Sequence, residues 1–318
     1  MTTIPTFDNL TLDPTGPPGN TWGLFGPSND LGMLNLLTPE TVRQAAAEEI
    51  REGVRIPLDL PLDRIKHSSY GRKPFVKEII NKAPRYVNDD VLTFNTQTST
   101  QWDGFRHYGN QKHKCYYNGH CLEEFKSSGV LGVDTWTKKG GITGRGILLD
   151  YAHWATTHSI PLTPFTSTPI PLAHLKSLMT EYSIHPRPGD ILFIRTGFTQ
   201  AFNALTSQEE ESLGNRPAPC FAGIQNGEET LRWLWENQFA AVASDTPSFE
   251  PSPINHPEGM TLHEWCLAGW GLPIGEYFDL EELAGFCRRR GRWRFFLCSV
   301  PLNVPGGVAS PPNAVAIL

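Results

Sequence analysis

The chain has 318 residues, of which 39% are hydrophobic and 19% charged, so it is long enough to bury a large core as one or two domains. A formal net charge of −6 argues against a nucleic acid as partner, and no run of about 20 apolar residues could span a bilayer. The sequence begins without the basic and apolar segments of a secretion signal, so we expect a cytoplasmic protein. The six cysteines are irregularly spaced, without a Cys-x-x-Cys pair, and are expected to be reduced thiols.

The first half of the chain begins with a segment rich in proline and glycine, residues 1–37, which predicts an extended arm. A cap at Thr38, with Pro39 in the first helical position, predicts a helix that ends at Gly53. After this helix, apolar or alternating runs predict two strands with a polar, basic surface excursion between them. The two strands and the excursion cover residues 54–60, 90–101 and 65–89, respectively.

The second half of the chain alternates apolar strands with amphipathic helices. The strands are predicted over residues 145–152, 189–198, 240–245 and 292–302. Helices are predicted over residues 171–184 and after three capping boxes, which are Asn226 with Glu229, Thr261 with Glu264, and Asp279 with Glu282. Because several strands have no helix between them, we expect a single α/β domain over residues 38–318, with a mixed β-sheet flanked by helices.

A series of polar side chains extends beyond the strand predicted over residues 90–101. Residues two apart share one face of a strand, which places together Gln97, Ser99, Gln101 and Asp103. His107 lies one helical turn beyond Asp103 if a helix follows. A carboxylate beside an imidazole can orient the ring for general acid–base catalysis, although the same spacing also occurs in polar strand ends with an exposed histidine. Trp102, within this segment, is predicted to lie near a substrate ring, and Ser99 is predicted to contact the substrate.

A second polar group follows much later in the sequence. His263 on its capped helix and Glu276 are thirteen residues apart, across a helix end and a turn, and could converge as metal ligands or as a hydrogen-bonded pair. His263 could equally be a buried histidine with satisfied hydrogen bonds. The basic run over residues 288–292 ends a predicted helix, where cations interact favourably with the helix dipole, and we interpret it as a solvated helix end.

Several blocks of sequence carry a family resemblance. They include WGLFGPSNDLGMLNLLTPETVRQA, STQWDGFRH, RPGDILFIRTG and LHEWCLAGWGLPIGEYFDLEEL. In this order they resemble the cyclase superfamily that includes bacterial kynurenine formamidase and isatin hydrolase, and the sequence is most similar to its longer fungal members. The resemblance implies a swivelling β/β/α fold, a small-molecule substrate, and a homodimer or higher homo-oligomer.

The family motif is His-x-Gly-Thr-His-x-Asp-x-Pro-x-His. In this chain its named positions fall on Gln97, Ser99, Thr100, Gln101, Asp103, Phe105 and His107. In the family the first two histidines and the Asp bind a divalent metal, and the last histidine is the acid–base catalyst. A second metal position of some members matches Asp103, His263 and Glu276. The chain therefore departs from the motif where glutamines replace two metal-binding histidines.

The two glutamines leave two alternatives for the site, because amide oxygens are weak ligands for zinc or manganese. A weaker site for one divalent cation (Mn²⁺, Mg²⁺ or Zn²⁺) could remain on Asp103, His263 and Glu276, with Gln97 and Gln101 as accessory oxygen donors. Otherwise the site has no metal, and both glutamines donate hydrogen bonds to a substrate carbonyl or its oxyanion. We favour the metal-free alternative.

Hydroxide is difficult to generate at neutral pH without a metal, so the expected reaction needs none. We expect a lyase or isomerase of secondary metabolism that catalyses ring closure, dehydration or isomerisation at a carbonyl of a cyclic or aromatic metabolite. His107 would move the proton and Asp103 would orient it. One alternative is a metal-dependent hydrolase of an amide, imide or lactone, and another is a non-catalytic descendant that binds a metabolite.

Overall fold

The computed structural model describes residues 3–318, and these residues contain one mixed sheet of nine strands flanked by helices. The strands β1 to β13 are Arg55–Pro57, Val76–Asn81, Asn88–Thr93, Gln101–Asp103, Ile142–Leu149, Pro169–Ile170, Ile191–Ile194, Gly223–Ile224, Ala241–Ser244, Ile274–Glu276, Arg294–Ser299, Ala309–Ser310 and Ala314–Ile317. The α/β fold with a mixed sheet that the sequence predicts is therefore confirmed.

Helices pack around this sheet. The helices α1 to α8 are Pro39–Glu49, Asp134–Lys138, Tyr151–Thr157, Leu172–Glu181, Phe198–Asn203, Ser207–Gly214, Glu228–Glu236 and Glu281–Arg290, and a π-helix covers Glu264–Trp270. Short 3₁₀ turns cover Phe7–Asn9, Gly32–Leu36, Ser69–Gly71, Tyr117–Gly119 and Glu124–Lys126. Among the described residues, none of these helices has the length and apolar character needed to cross a membrane.

The centre of the nine-stranded sheet is parallel. The strand order is β1-β13-β11-β5-β7-β9-β10-β4-β12, in which the pairs β5–β7, β7–β9 and β9–β10 are parallel. Every residue of β7 and β9 is buried, as expected for parallel strands covered on both faces, and this explains their continuous apolar sequences. The antiparallel pairing of β10 with β4 then brings two distant segments of the chain together.

The strand predicted over residues 90–101 is interrupted. Its first part belongs to β3, which pairs with β2 in an exposed hairpin, and its last residue begins β4. Between them, the Asn95 side chain accepts a hydrogen bond from the Gln97 amide, and its carbonyl accepts one from the Thr98 amide. This Asx-type turn competes with extended backbone, so the prediction of one continuous strand is wrong. The surface excursion predicted over residues 65–89 contains β2.

The three predicted capping boxes are not formed as expected. Asn226 does not cap α7, because Gly227 occupies the cap position and the Asn226 side chain accepts from the Leu262 amide instead. Asp279 accepts from the Glu281 amide at 3.2 Å, but α8 begins too late for Glu282 to close a box. The box predicted from Thr261 and Glu264 is not formed either. The backbone amides of this turn instead donate to a side chain from an earlier part of the chain. In contrast, the Thr38 cap of α1 is confirmed by its bond from the Thr41 amide.

Residues before α1 pack on the π-helix rather than away from the domain. The Trp22 indole donates to the Ala268 carbonyl at 2.8 Å, and the Thr21 amide donates to the Gly269 carbonyl at 3.0 Å. Gly32 lies so close to Gly271 that a Cβ on it would meet the Gly271 carbonyl oxygen at 2.0 Å. The first segment of the chain thus supports the helix that follows His263, and the boundary predicted after residue 37 stays a prediction.

Candidate active site

Two neighbouring strands present polar side chains on one face of the sheet. In the β4–β10 pairing, Gln101 lies opposite Glu276, and Asp103, two residues along, shares the face of Gln101. Trp102, between them, points to the other face, where it packs against Phe193 and Phe278 and donates to a serine hydroxyl. The prediction that Trp102 contacts a substrate is therefore wrong, since its ring is completely buried in the core.

The chain turns back after β4 and places His107 beside Asp103. The His107 amide donates to the Gly104 carbonyl at 2.9 Å, which closes a single turn rather than the predicted helix. The distance from His107 Nε2 to Asp103 Oδ2 is 4.0 Å. Ser99 points elsewhere, because its hydroxyl lies 3.3 Å from the carbonyl oxygens of Leu60 and Pro61, so its predicted substrate contact is also wrong.

A buried glutamate that sequence reasoning missed holds His263 in place. Glu250 accepts hydrogen bonds from the Leu262 amide at 2.9 Å, the His263 amide at 2.6 Å and the His263 Nδ1 at 2.7 Å. It performs the capping that the sequence assigns to Thr261 and Glu264, and Glu264 instead accepts from Asn110 and the backbone nearby. With Nδ1 engaged, His263 Nε2 lies 3.3 Å from Glu276 Oε1 and 3.9 Å from Asp103 Oδ2.

Both glutamines of the motif are bonded to carboxylates. Gln97 Nε2 donates to Asp103 Oδ1, and Gln101 Nε2 donates to Gln97 Oε1 at 3.0 Å and to Glu276 Oε2 at 2.7 Å. The two amide hydrogens of Gln101 are thereby used, and its side chain is completely buried. The structure thus contradicts the prediction that Gln101 donates to a substrate, and Gln97 is directed towards Asp103 in the same way.

The electrostatic environment differs between the two histidines. Burial lowers the pKa of His107, against the opposing effect of Asp103, so its ring is neutral at pH 7. Burial also acts to lower the pKa of His263, but the hydrogen bonds with Glu250 and Glu276 outweigh it and raise that pKa to about 10. Burial and the neighbouring Asp103 carboxylate raise the pKa of Glu276 to about 7. Without a bound cation, the site therefore combines one neutral imidazole with one cationic imidazole.

These groups open into a cavity of about 300 Å³. His107, His263 and Glu276 form its polar end. Its other walls are largely aromatic or apolar and are formed by Tyr70, Tyr108, Pro247, Pro253 and Ile254, together with Arg72, Ser248 and Ser252. Tyr70 and Arg72 fall within the predicted surface excursion, because nothing in their local sequence pattern indicates that the chain folds back over the site.

The polar end of the cavity fits a divalent cation. One ligand atom from each of Asp103, His107 and His263 lies within 4.8 Å of the other two. Asp103 Oδ2 and Gln101 Oε1 are both buried and accept no hydrogen bond from any described residue. Glu250 fixes His263 through Nδ1 and leaves Nε2 directed at Asp103, as second-sphere carboxylates do at metal sites. Of the ligands that the sequence predicts, Asp103 and His263 belong to this group, and Glu276 lies 3.3 Å from His263 Nε2. Gln97 is not available as a ligand donor in the same way, because its amide is directed towards Asp103.

The comparisons with known proteins identify the family and the fold. A sequence profile described as "Putative cyclase" matches residues 32–251. A solved structure described as a novel cyclase is 30% identical, with a TM-score of 0.81 over 94% of this chain and 99% of its own. No curated protein matches the sequence.

Two more distant structures have the same fold. Isatin hydrolase A from Labrenzia aggregata is 15% identical, with a TM-score of 0.60 over 83% of this chain and 93% of its own. An isatin hydrolase bound to the product analogue thioisatinate is 10% identical, with a TM-score of 0.59 over 83% of this chain and 92% of its own. At these identities the likeness concerns the fold alone.

Proposed function

Since the chain belongs to the putative cyclase family, we propose that it is a hydrolase that opens a cyclic amide, imide or lactone of a small, flat substrate. The observation that carries this proposal is the buried group of Asp103, His107 and His263 at the end of a cavity of about 300 Å³. The names of the isatin hydrolases among the structural neighbours support the same reaction class.

His107 is the proposed proton carrier. Its imidazole is neutral at pH 7 because burial lowers its pKa, so it can accept a proton from water attacking the substrate carbonyl. The Asp103 carboxylate, 4.0 Å away, stabilises the imidazolium that results. His107 then returns the proton to the leaving nitrogen or oxygen. The apolar walls of the cavity strengthen these interactions because they limit the access of bulk water.

In this proposal, Asp103, His263 and Glu276 would hold one divalent cation. Such a cation would supply a Lewis acid for the carbonyl oxygen. From the sequence, a metal-free site is expected because glutamines replace two histidine ligands. The proposal departs from that expectation because Asp103, His263 and Glu276 lie close to one another. Within this chain, Glu250 keeps His263 Nε2 directed towards Asp103, and Gln101 orients Glu276 through its bond to Oε2.

The second candidate is metal-free ring closure, dehydration or isomerisation in secondary metabolism. It is favoured by the bonds from Gln97 and Gln101 to carboxylates, which occupy the position where the family motif has two metal-binding histidines. In that case His107 and Asp103 keep the same proton-transfer role, and the cationic His263 balances the carboxylates.

Mass spectrometry of the products from a panel of lactams, cyclic imides and lactones separates these candidates. Hydrolysis adds the mass of one water to the substrate, and we expect this result. Loss of water or an unchanged mass with a new retention time would support the second candidate. Binding without turnover across the panel would instead indicate a non-catalytic descendant and would refute both.

The role of His107 is tested with the substrate that this panel identifies. His107→Ala should lower kcat/KM by about 10² to 10⁴, the usual contribution of general acid–base catalysis, without changing the melting temperature. His113, on the exposed surface after the same turn, offers the control variant His113→Ala, which should keep full activity. An active His107→Ala variant would remove this residue from the mechanism.

We also propose that the protein is a homodimer in which the β2–β3 hairpin contacts a second copy. All twelve residues of its two strands are exposed, and several are large and apolar, among them Ile79 and Val91 at 64% and 48% exposure. A two-stranded hairpin is marginally stable alone and gains stability from a covering surface. Light scattering should give twice the chain mass, and Ile79→Lys with Val91→Lys should shift the protein to monomer.

A further inference from the structure

Arg72 is the arginine that lines the cavity, and it belongs to neither strand of the candidate site. It lies just before the β2–β3 hairpin, where the chain returns over the polar end of the cavity. Its Nη1 donates to the Gln97 carbonyl at 2.9 Å, and its guanidinium lies over the Tyr70 ring at 4.8 Å from the centroid. The Tyr70 hydroxyl is in turn bonded to the Ser252 hydroxyl at 2.7 Å. These contacts hold the guanidinium in one orientation.

Most of the hydrogen-bonding capacity of Arg72 is free. Within residues 3–318, the bond to the Gln97 carbonyl is the only hydrogen bond of the guanidinium, and no carboxylate lies within salt-bridge distance of it. A guanidinium has five N–H donors in a planar fork that matches a carboxylate. The buried Arg145 and Arg195 behave differently, since each binds a carboxylate through two nitrogens.

The negative charge within the cavity already has partners. Glu276, the carboxylate that lines it, is bonded through Oε2 to Gln101 and lies 3.3 Å from His263 Nε2 through Oε1. An anionic group on a ligand therefore meets, in Arg72, a guanidinium whose donors are mostly unused. The aromatic and proline walls nearby suit a flat ring attached to that group.

We propose that Arg72 is a specificity-determining residue that binds the carboxylate of a planar aromatic ligand. This inference rests on the proposed function, because opening a cyclic amide, imide or lactone with water releases a carboxylate next to the ring. The carboxylate could be the one that hydrolysis releases or one that the substrate already carries. In both cases it pairs with the fork of Arg72 while the ring lies between Tyr70 and the proline wall.

Isothermal titration with benzoate and its neutral analogue benzamide tests this recognition without turnover. Wild-type protein should bind benzoate at least tenfold more tightly than benzamide, since charge-assisted bidentate hydrogen bonds are the stronger ones. Arg72→Met should lose most of this preference. Arg72→Lys should recover part of the preference, because it restores the charge without the fork. Arg85→Met, in the exposed part of the same excursion, should behave as wild type.

Equal wild-type affinities for the two ligands, undetectable benzoate binding, or an unchanged preference in Arg72→Met would each overturn the inference. Failure of the hydrolase proposal is recognised separately, because benzoate binding requires no reaction. Once a substrate is known, a raised KM in Arg72→Met assigns the carboxylate to the substrate, and a weakened product inhibition alone assigns it to the product. Circular dichroism of each variant confirms that the fold is retained.

Discussion

Replacement of Glu250 should destabilise the protein more than replacement of any other acidic residue around the site. Its side chain is completely buried and accepts three hydrogen bonds, from the Leu262 amide, the His263 amide and His263 Nδ1. Glu250→Ala leaves three buried donors without an acceptor, each costing about 1 to 3 kcal/mol. We therefore expect the free energy of unfolding to fall by about 3 to 9 kcal/mol, a large part of the total for a domain.

A second variant separates charge from hydrogen bonding. Glu250→Gln keeps one acceptor oxygen for His263, but its amide nitrogen must face one of the backbone donors. The expected loss is smaller, about 1 to 3 kcal/mol, because one buried donor remains without an acceptor. The affinity of the site for a divalent cation should also fall by about 10- to 100-fold in this variant, as it does when second-sphere partners of a metal-binding histidine are removed.

Urea denaturation followed by tryptophan fluorescence measures these changes, with Glu264→Ala as the matched control. Glu264 is the first residue of the π-helix, and the sequence predicts that it caps this helix. In the structure it accepts its hydrogen bonds at 3.2 Å near the surface. Its replacement should cost less than about 1 kcal/mol. Equal losses for Glu250→Ala and Glu264→Ala would refute the reasoning, because the local capping box would then be the real support of His263.

Two further predictions concern the ionisation of Asp59 and the cation at the candidate site. Burial raises the pKa of Asp59 from 3.8 to about 6. The folded protein therefore favours the protonated carboxyl group. The stability that this preference contributes is fully present below pH 3.8 and is lost as the pH rises through about 6. Asp59→Asn should therefore raise the free energy of unfolding by about 1 to 2 kcal/mol at pH 8, allowing for partial solvent screening, and should leave it unchanged at pH 4 in parallel urea titrations. Elemental analysis should find one divalent cation per wild-type chain and none in Asp103→Asn; a cation-free wild type would contradict the proposed site.

The parts of the fold that the sequence predicts correctly are those where one local pattern has one structural solution. The continuous apolar runs of β7 and β9 are typical of parallel strands covered on both faces, and they are buried as expected. In contrast, the strand predicted through residue 95 fails because a side-chain turn competes with extended backbone there. Periodicity records burial, but it does not record such local hydrogen bonds.

The same distinction applies to the candidate site. The structure brings Asp103, His107, His263 and Glu276 together, as the spacing and the family motif predict. Glu250 and Arg72 were missed because each acts through a contact between segments that are far apart in the sequence or lie in irregular loops. Thr261 and Glu264 match the local capping pattern better than Glu250 does, and only the tertiary packing decides between them.

The contacts between the start of the chain and the π-helix also have a consequence for the order of events during synthesis. Thr21 and Trp22 bond to the carbonyls of Gly269 and Ala268, nearly 250 positions later. These partners leave the ribosome only after the whole intervening segment has been made, and closing so long a loop is slow. His263 therefore acquires its final support late, so a nascent chain carries an unfinished pocket until the π-helix has been synthesised.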